Sequence, residues 1–397
     1  MSLTESPSLS KTATPIKSTV LPSDAYVLSL ASLPSHYAAS SSASANNIYL
    51  FDKFSLRPIG ELAGHDRATT CMRSVPKVGD SREVLLSCGK DALVKVWDER
   101  SCSVALQMHA STAGNSRVLL SCDVSADGLT VAAGTDLQGD DASILYWDPR
   151  SPAAPLRAHS YTHSDDITAL HFLRSSYANG SGSQNVLLSI STDGLLSTSN
   201  AGEPDEDEAG LHVGNWGTSV AQAGWVNGRG GSPGVWASSD METFSLWTNE
   251  LDLVQDADIR QPSIHRQDFT WVTDYLIGCH NNTYIPPDRD NDLCIFAGSN
   301  EGDVALLTRS TFSDVSAPWK LERLWTTGHA GVVRSSLWDE SNNVLLTGGE
   351  DSKLNVWTSP GLSSTDHDES GRTKRENDGE MEIDGQEYTL NRKKRRS

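Results

Sequence analysis

The phrase LLSCGKDALVKVWDER at 85–100 sets a hydroxyl, Ser87, four residues before a carboxylate, Asp91, and a histidine, His65, lies upstream. These are the residue types of a nucleophilic relay, in which an imidazole takes the hydroxyl proton and a carboxylate holds the imidazole. A relay of that kind also needs an exposed hydroxyl and donors for an oxyanion, and a protein needs it once. Here the set returns. LLTGGEDSKLNVWTSP at 345–360 carries Thr347 and Asp351 behind His329, and a tryptophan closes both phrases, Trp97 and Trp357. A third, partial set has His163, Ser189 and Asp193, with Ser199 where the tryptophan would stand. A buried hydroxyl, imidazole, carboxylate and indole satisfy one another and fix the register of neighbouring strands. Repetition therefore points to scaffold: no catalytic residue is assigned, and the protein is expected not to be an enzyme.

The elements that must hold these groups follow from the repeat. Aligned on their last residues, seven units emerge: NNIYLFD (46–52), ALVKVWD (92–98), ASILYWD (142–148), GLLSTSN (194–200), METFSLWT (241–248), GDVALLT (302–308) and SKLNVWT (352–358). They end roughly 50 residues apart, near the length of a four-stranded propeller blade. Apolar runs of four to seven residues, rich in Val, Ile, Leu, Tyr and Trp, read as strands. KDAL, TDGL, NEGD and EDSK read as the turns between the last two runs of a unit. The fold class is all-β, a single seven-bladed propeller whose blades protect one another's edges. The last unit stops after its third strand, so the run TPIKSTVL (14–21) is expected to supply the fourth and close the ring. The domain is placed at 14–358, with a disordered extension at 1–13 and a disordered tail at 359–397. The tail and the run EPDEDE (203–208) are too polar to offset their chain entropy, and the run is expected to be a solvated loop.

These residues resemble the WD-repeat family, in which GH and WD mark the repeat. THSDDITALHF, DYLIG followed by FAGSNEGDVALL, and GHAGVVRSSLW followed by LLTGGEDSKLNVW extend the resemblance over about residues 14–358. It is strongest in the second, fourth and seventh units. The fifth and sixth depart from the pattern, and the sixth has Leu307 at the tryptophan position. The resemblance implies a nuclear, non-enzymatic propeller, and the loops on the two faces of so rigid a disc are expected to make it a platform for other proteins.

Composition narrows the partners. The chain has 397 residues and a net charge of −20. Residues 359–397 hold nine acids and eight bases, so the body carries −20 + 1 = −19. A body this acidic repels phosphate backbones, so no direct nucleic-acid binding is expected, and basic proteins such as histones or ribosomal proteins are the favoured partners. No apolar run approaches the ~18–20 residues that span a bilayer, and no membrane association is expected. The polar start MSLTESPSLSKTATP lacks the pattern of a secretory signal. Six scattered cysteines without CxxC pairs fit a reducing compartment. A monomeric propeller without cofactor is expected.

Three features are candidates for recognition. Asp136, Asp140 and Asp141 in DLQGDD, with Asp165 and Asp166 in the next unit, are expected to form an acidic rim for a basic partner. Their spacing is not that of a calcium loop, and no metal is assigned. His159 and His163 are four apart, but the second already belongs to a structural set. WDER (97–100) and WDPR (147–150) end on Arg100 and Arg150. The pair resembles the motif of cullin-4 ubiquitin ligase substrate receptors, where such arginines border the face that docks the ligase adaptor. The alternative is that each arginine pairs with the aspartate of its own turn. Last, RKKRRS at the C-terminus, with Lys393, Lys394, Arg395 and Arg396, reads as an importin-binding nuclear signal. GRGGSP (228–233) lacks the Lys-Ser/Thr of a phosphate loop and reads as a hairpin loop.

Overall fold

Six of the seven units each become four antiparallel strands in chain order with neighbours hydrogen-bonded, and the seventh supplies three. The computed structural model describes residues 2–358, except 43, 113–114, 175–184, 230–232 and 268. The first strands of the blades are Val27–Ser32, Thr69–Val78, Leu119–Val124, Ile167–Phe172, Val220–Val226, Tyr275–Asn281 and Val333–Asp339. Each touches the first strand of the next blade, and Val333–Asp339 touches Val27–Ser32, so the seven form a closed ring. Second and third strands are covered on both faces by adjoining blades, and so they read as unbroken apolar runs rather than alternating ones. Val94, Val96 and Trp97, and Leu345, Leu346 and Trp357, are all buried. Fourth strands form the rim and are half exposed, as in Pro58–Leu62.

A repeated irregularity bends the inner strands. In all seven blades the pairing of first and second strands slips within the first three residues, as between Thr69 and Cys71 or Leu276 and Gly278. A bulge there adds local twist and turns the strand along the channel wall. Two bulged residues also tie neighbouring blades together. Thr70 Oγ1 donates to the Leu119 carbonyl, and Thr168 Oγ1 to that of Val220, both at 2.7 Å.

The ring closes as the sequence implies. Lys353–Thr358 is the last strand of its unit, and Lys17–Val20 pairs with it antiparallel as the outer strand of the seventh blade. The extension before it is a correction. Instead of being disordered, Leu3–Thr12 forms a fifth strand on the sixth blade, parallel to Trp319–Trp325. The acidic run at 203–208 is likewise not a loop in full. Asp205 caps a one-turn helix, Glu206–Ala209, through the Asp207 N–H. The tail at 359–397 lies outside the described residues.

In a ring of meandering sheets, turns within the first and last strand pairs fall on one face. Turns between second and third strands and the crossings between blades fall on the other, called here the crossing face. Removing residues 2–22 strips the outer strand from the last blade and unlocks the ring. Thermal unfolding is expected to fall by more than ~5 °C, since a few kcal/mol shift a domain of this size by that much. An unchanged transition would refute closure by this strand.

Candidate functional site

The two complete sets have the same geometry. His65 Nδ1 lies 2.8 Å from Asp91 Oδ1, and His65 Nε2 lies 2.8 Å from Ser87 Oγ. Trp97 Nε1 donates to the same oxygen at 2.9 Å. In the seventh blade His329 Nδ1 is 3.0 Å from Asp351, His329 Nε2 is 2.8 Å from Thr347 Oγ1, and Trp357 Nε1 donates at 2.9 Å. The carboxylate accepts from Nδ1, so Nε2 is left to accept the hydroxyl proton and the hydroxyl oxygen to accept the indole N–H. The distances are those of a hydrolase relay. Ser87 and Thr347, however, have no exposed surface, and a tryptophan N–H occupies the space a substrate carbonyl would need. The arrangement stabilises strands and cannot reach a substrate.

Sequence reasoning missed two further members. Lys95 Nζ donates to the Gly64 carbonyl at 2.7 Å, and Asn355 Nδ2 to that of Gly328 at 2.9 Å, each from the position two before the tryptophan. Gly89 and Gly349 seat the imidazoles. A Cβ at either would come within 2.8 Å of the His65 ring or 2.7 Å of the His329 ring. The partial set shows what happens otherwise. Ser191 stands at that position in the fourth blade, and although His163 Nε2 keeps Ser189 Oγ at 2.8 Å, Nδ1 is 3.4 Å from Asp193. Burial raises the cost of charge on Asp193, but its contacts with His163 and the Ser164 and Leu195 N–H groups win, holding the carboxyl at about 2. Burial pushes the His329 imidazole below its ordinary value despite Asp351 beside it.

Other carboxylates clamp blade to blade, with no signal in the repeat. Glu206 accepts from the Ser160, Tyr161 and Thr162 N–H groups at 2.7–2.8 Å. Asp339 accepts from Tyr37 at 2.8 Å across the ring closure, with Lys53 at 3.4 Å, and is held at about 2. Asp123 is fully buried in the channel wall, where Arg73 and Arg174 pair with it. Among the described residues no group of His, Cys, Asp or Glu is arranged to hold a metal, all six cysteines are free, and no helix is long and apolar enough to cross a membrane. His159 is buried against Tyr146 rather than beside His163 as a ligand pair.

The crossing face carries further acids that the sets do not use. Leu137 N donates to Asp166 Oδ1 at 2.8 Å, which draws the loops of Asp136 and Asp166 together. Burial and then the Asp166 charge push the Asp136 carboxyl up. Asp140 and Asp141 are exposed at the loop tip, and the Asp165 carboxylate turns back to accept the Asp166 N–H. Further round the same face, Asp240, Glu242 and Asp274 line a cleft of about 470 Å³ with Tyr275, Asn300 and Arg334. Burial pushes Glu242 up, although it accepts the Leu276 N–H.

Arg100 and Arg150 lie on the opposite face, 88% and 72% exposed. Each folds onto its own turn. Arg150 binds Asp148 through Nε and Nη2 at 2.9 and 2.7 Å, while Arg100 reaches Asp98 at 3.4 Å. Arg260 grips Asp258 in the same way on the crossing face, so the pairing is not peculiar to the two WD-x-R turns. Lys393, Lys394, Arg395 and Arg396 lie outside the described residues.

Comparison with known proteins fits this geometry. The family model of the WD domain, G-beta repeat, matches residues 56–98 and 321–358. Each match starts at or beside the outer strand of one blade and ends with the third strand of the next, and these are the two units with complete sets. The chain is 27% identical over 340 residues to WD repeat-containing protein 89 homolog of Dictyostelium discoideum, covering 84% of this chain and 82% of that one. It is 26% identical over 330 residues to WD repeat-containing protein GTS1 of Arabidopsis thaliana, covering 80% and 77%. A shorter stretch of 114 residues is 31% identical to small ribosomal subunit protein RACK1 of Drosophila melanogaster, covering 29% and 32%. Among solved structures, the computationally designed Ika8 protein superposes with a TM-score of 0.58 at 15% identity, over 86% of this chain and 98% of that one. That likeness concerns the fold alone.

The displaced His329 gives a signed pH dependence. The unfolded imidazole takes its proton near pH ~6.5. The folded one resists to lower pH, so stability is full above that value and falls as pH drops below it. Urea unfolding is expected to weaken from about pH 7.5 to about pH 5.5. His329→Gln should cost about 1–3 kcal/mol at the higher pH by stranding buried partners, and flatten the pH response. An equal slope in wild type and variant would contradict this.

Proposed function

We propose, from the premise that this chain belongs to the WD-repeat β-propeller family, that it is a non-catalytic interaction platform of the nucleus binding basic proteins through its crossing face. The observation that carries this reading is the convergence on one face of carboxylates that the His–Ser/Thr–Trp sets do not use. Asp136 and Asp166 are drawn together, Asp140 and Asp141 project, and Asp240, Glu242 and Asp274 line a cleft. Carboxylates crowded this way repel each other, and an incoming Lys or Arg side chain relieves that repulsion. Histones and ribosomal proteins are the chemical class of partner, and one partial relative is itself named a ribosomal subunit protein. The scaffold role of the relay removes Ser87 and Thr347 as nucleophiles.

A purified core-histone mixture is a direct probe. Binding measured by interferometry is expected to fall about tenfold in Asp140→Asn/Asp141→Asn/Asp240→Asn, and to weaken between about 0.1 and 0.4 M salt. Insensitivity to both would sink the reading. A second reading is docking of a cullin-4 ligase adaptor through Arg100 and Arg150. Its support is the paired WD-x-R sequence and the exposure of both side chains on one face, against which stands the grip of Asp148 on Arg150. Co-purification of the adaptor, lost in Arg100→Ala/Arg150→Ala, would favour it. Nuclear residence rests on the basic end, and a fluorescent fusion lacking residues 391–397 is expected to shift to the cytoplasm. Unchanged nuclear signal would remove that part.

A further inference from the structure

Three of the six cysteines meet where the second blade touches the third. Cys71, on the first strand of the second blade, stands directly opposite Cys88 on the next strand of that sheet. Cys122 lies on Leu119–Val124, the first strand of the third blade. Cys88 and Cys122 have no exposed surface and belong to one core cluster, against which Cys71 packs. Cys71 Sγ is 3.8 Å from the Cys122 carbonyl oxygen, and its sulfur contacts both other thiols. Thr70, at the register slip between Thr69 and Cys71, steadies the meeting. Its Oγ1 donates across the blade boundary to the Leu119 carbonyl and lies 3.5 Å from Cys88 Sγ.

Two features set Cys71 apart from its neighbours. It alone of the three keeps exposed surface, and the first strands line the channel, so small solutes reach it from there. A cation also stands beside it. Arg73 Nη2 is 3.8 Å from Cys71 Sγ, while Nη1 is 3.3 Å from Asp123 and 3.3 Å from His171 Nδ1. Burial and then the Arg73 charge hold His171 down at about 3, so the imidazole is neutral. Arg174 pairs with Asp123 as well, so two guanidinium ions share one carboxylate. A Cys71 thiolate is the anion that balances the second. Hydrogen bonds with Cys122 and Cys88, then the Arg73 charge, hold this thiol well below its ordinary value against the cost of burial. The contact with Cys71 pushes the Cys122 thiol up, and burial does the same to Cys88. One reachable thiolate thus faces two protonated thiols, the arrangement of an oxidisable cysteine beside a resolving partner.

We propose that Cys71 is a modification site for hydrogen peroxide, and that Cys122 resolves the oxidised sulfur into a disulfide joining the second and third blades. The Cys71 thiolate attacks one oxygen of the peroxide, the O–O bond breaks, and hydroxide leaves and takes a proton to become water. Cys71 is then a sulfenic acid. Cys122 Sγ attacks the Cys71 sulfur, the S–O bond breaks, and the hydroxyl departs with the Cys122 proton as a second water. Two thiols lose two electrons and two protons, and the peroxide is reduced to two waters. Cys88 is the poorer resolver. Directly opposite residues of an antiparallel pair hold their Cβ atoms roughly 4.5–5.5 Å apart. A disulfide spans roughly 3.5–4.5 Å, and the strand ladder pins Cys88 at its distance. Cys122 belongs to another sheet and closes on Cys71 without breaking a ladder.

The test treats the reduced full chain, without denaturant, with a few equivalents of hydrogen peroxide, blocks the remaining thiols and maps tryptic peptides by mass spectrometry. Residues 68–73, 83–90 and 118–150 are separate tryptic peptides with one cysteine each, so the links are told apart. The expected product joins 68–73 to 118–150. Free Cys71 is expected to disappear about tenfold faster than Cys102, although Cys102 is the more exposed, and prior unfolding in urea should erase that preference. In Cys122→Ala, dimedone should capture a sulfenic acid on Cys71, and in Cys88→Ala the link to Cys122 should still form. The wild-type map decides even where a variant fails to fold. Oxidation of Cys102 ahead of Cys71 in the folded chain would overturn the site. A link from Cys71 to Cys88, or no link at all, would overturn the role of Cys122.

Discussion

A ring of seven wedge-shaped sheets is stable only if the last blade meets the first with no strand missing. Here the chain ends its seventh unit on a third strand, Lys353–Thr358, and the missing fourth comes from Lys17–Val20, more than three hundred residues away in sequence. Each strand edge along the ring depends on that four-residue pairing, because an open ring exposes both the apolar face of the last blade and that of the first. Tyr37 and Asp339 reinforce the same seam with a buried hydrogen bond, and Lys53 offsets the charge. Closing so long a loop costs entropy that grows only slowly with length, which lets one short strand hold a large ring.

Within the blades, residues that elsewhere cleave bonds are used to hold register. His65, Ser87 and Asp91 differ from a catalytic relay in burial and in one added donor, Trp97 Nε1, rather than in distance. A buried hydroxyl that gives to imidazole and takes from indole is fully satisfied, and a satisfied group in a closed core is held in place and closed to chemistry. The seating glycine sets how well the network forms. Where Ser191 replaces it, the imidazole to carboxylate distance opens to 3.4 Å, and the tryptophan is also gone.

Blade number, ring closure and the relay were legible because they rest on short-range patterns: a four-residue step from hydroxyl to carboxylate, a turn, and an apolar strand. The strand Leu3–Thr12 was not legible, since LTESPSLSKT has neither alternation nor apolar density, and its pairing depends on an edge and a hairpin distant in sequence. EPDEDE misled for a related reason. An acidic run reads as solvated, but Glu206 answers three N–H groups of a turn on the neighbouring blade. The seven inner bulges leave no common residue type at the slip, which holds Thr in two blades and Arg334 in another. They are set by the curvature of the wall.

The distribution of charge follows from the same division. Carboxylates needed by the fold are matched by imidazoles, N–H groups or guanidinium ions, and the matched ones, such as Asp193 and Asp339, sit low in pKa. Asp136 and Glu242 are pushed the other way, because burial and neighbouring acids outweigh their donors. A fold gains nothing from crowding like charges, so a raised carboxyl marks a place where stability alone does not explain the residue. Asp136 and Glu242 lie on the crossing face, beside the loop tip and the cleft, as does Asp303, which burial also raises, whereas Asp292, raised by burial too, lies on the other face. Arg150, exposed on the other face, is already neutralised by Asp148. Exposed acids stand on both faces, Asp80, Glu83, Glu250 and Asp252 among them on the other. What sets the crossing face apart is the crowding of carboxylates beside Asp136 and around the cleft, which a cationic side chain relieves.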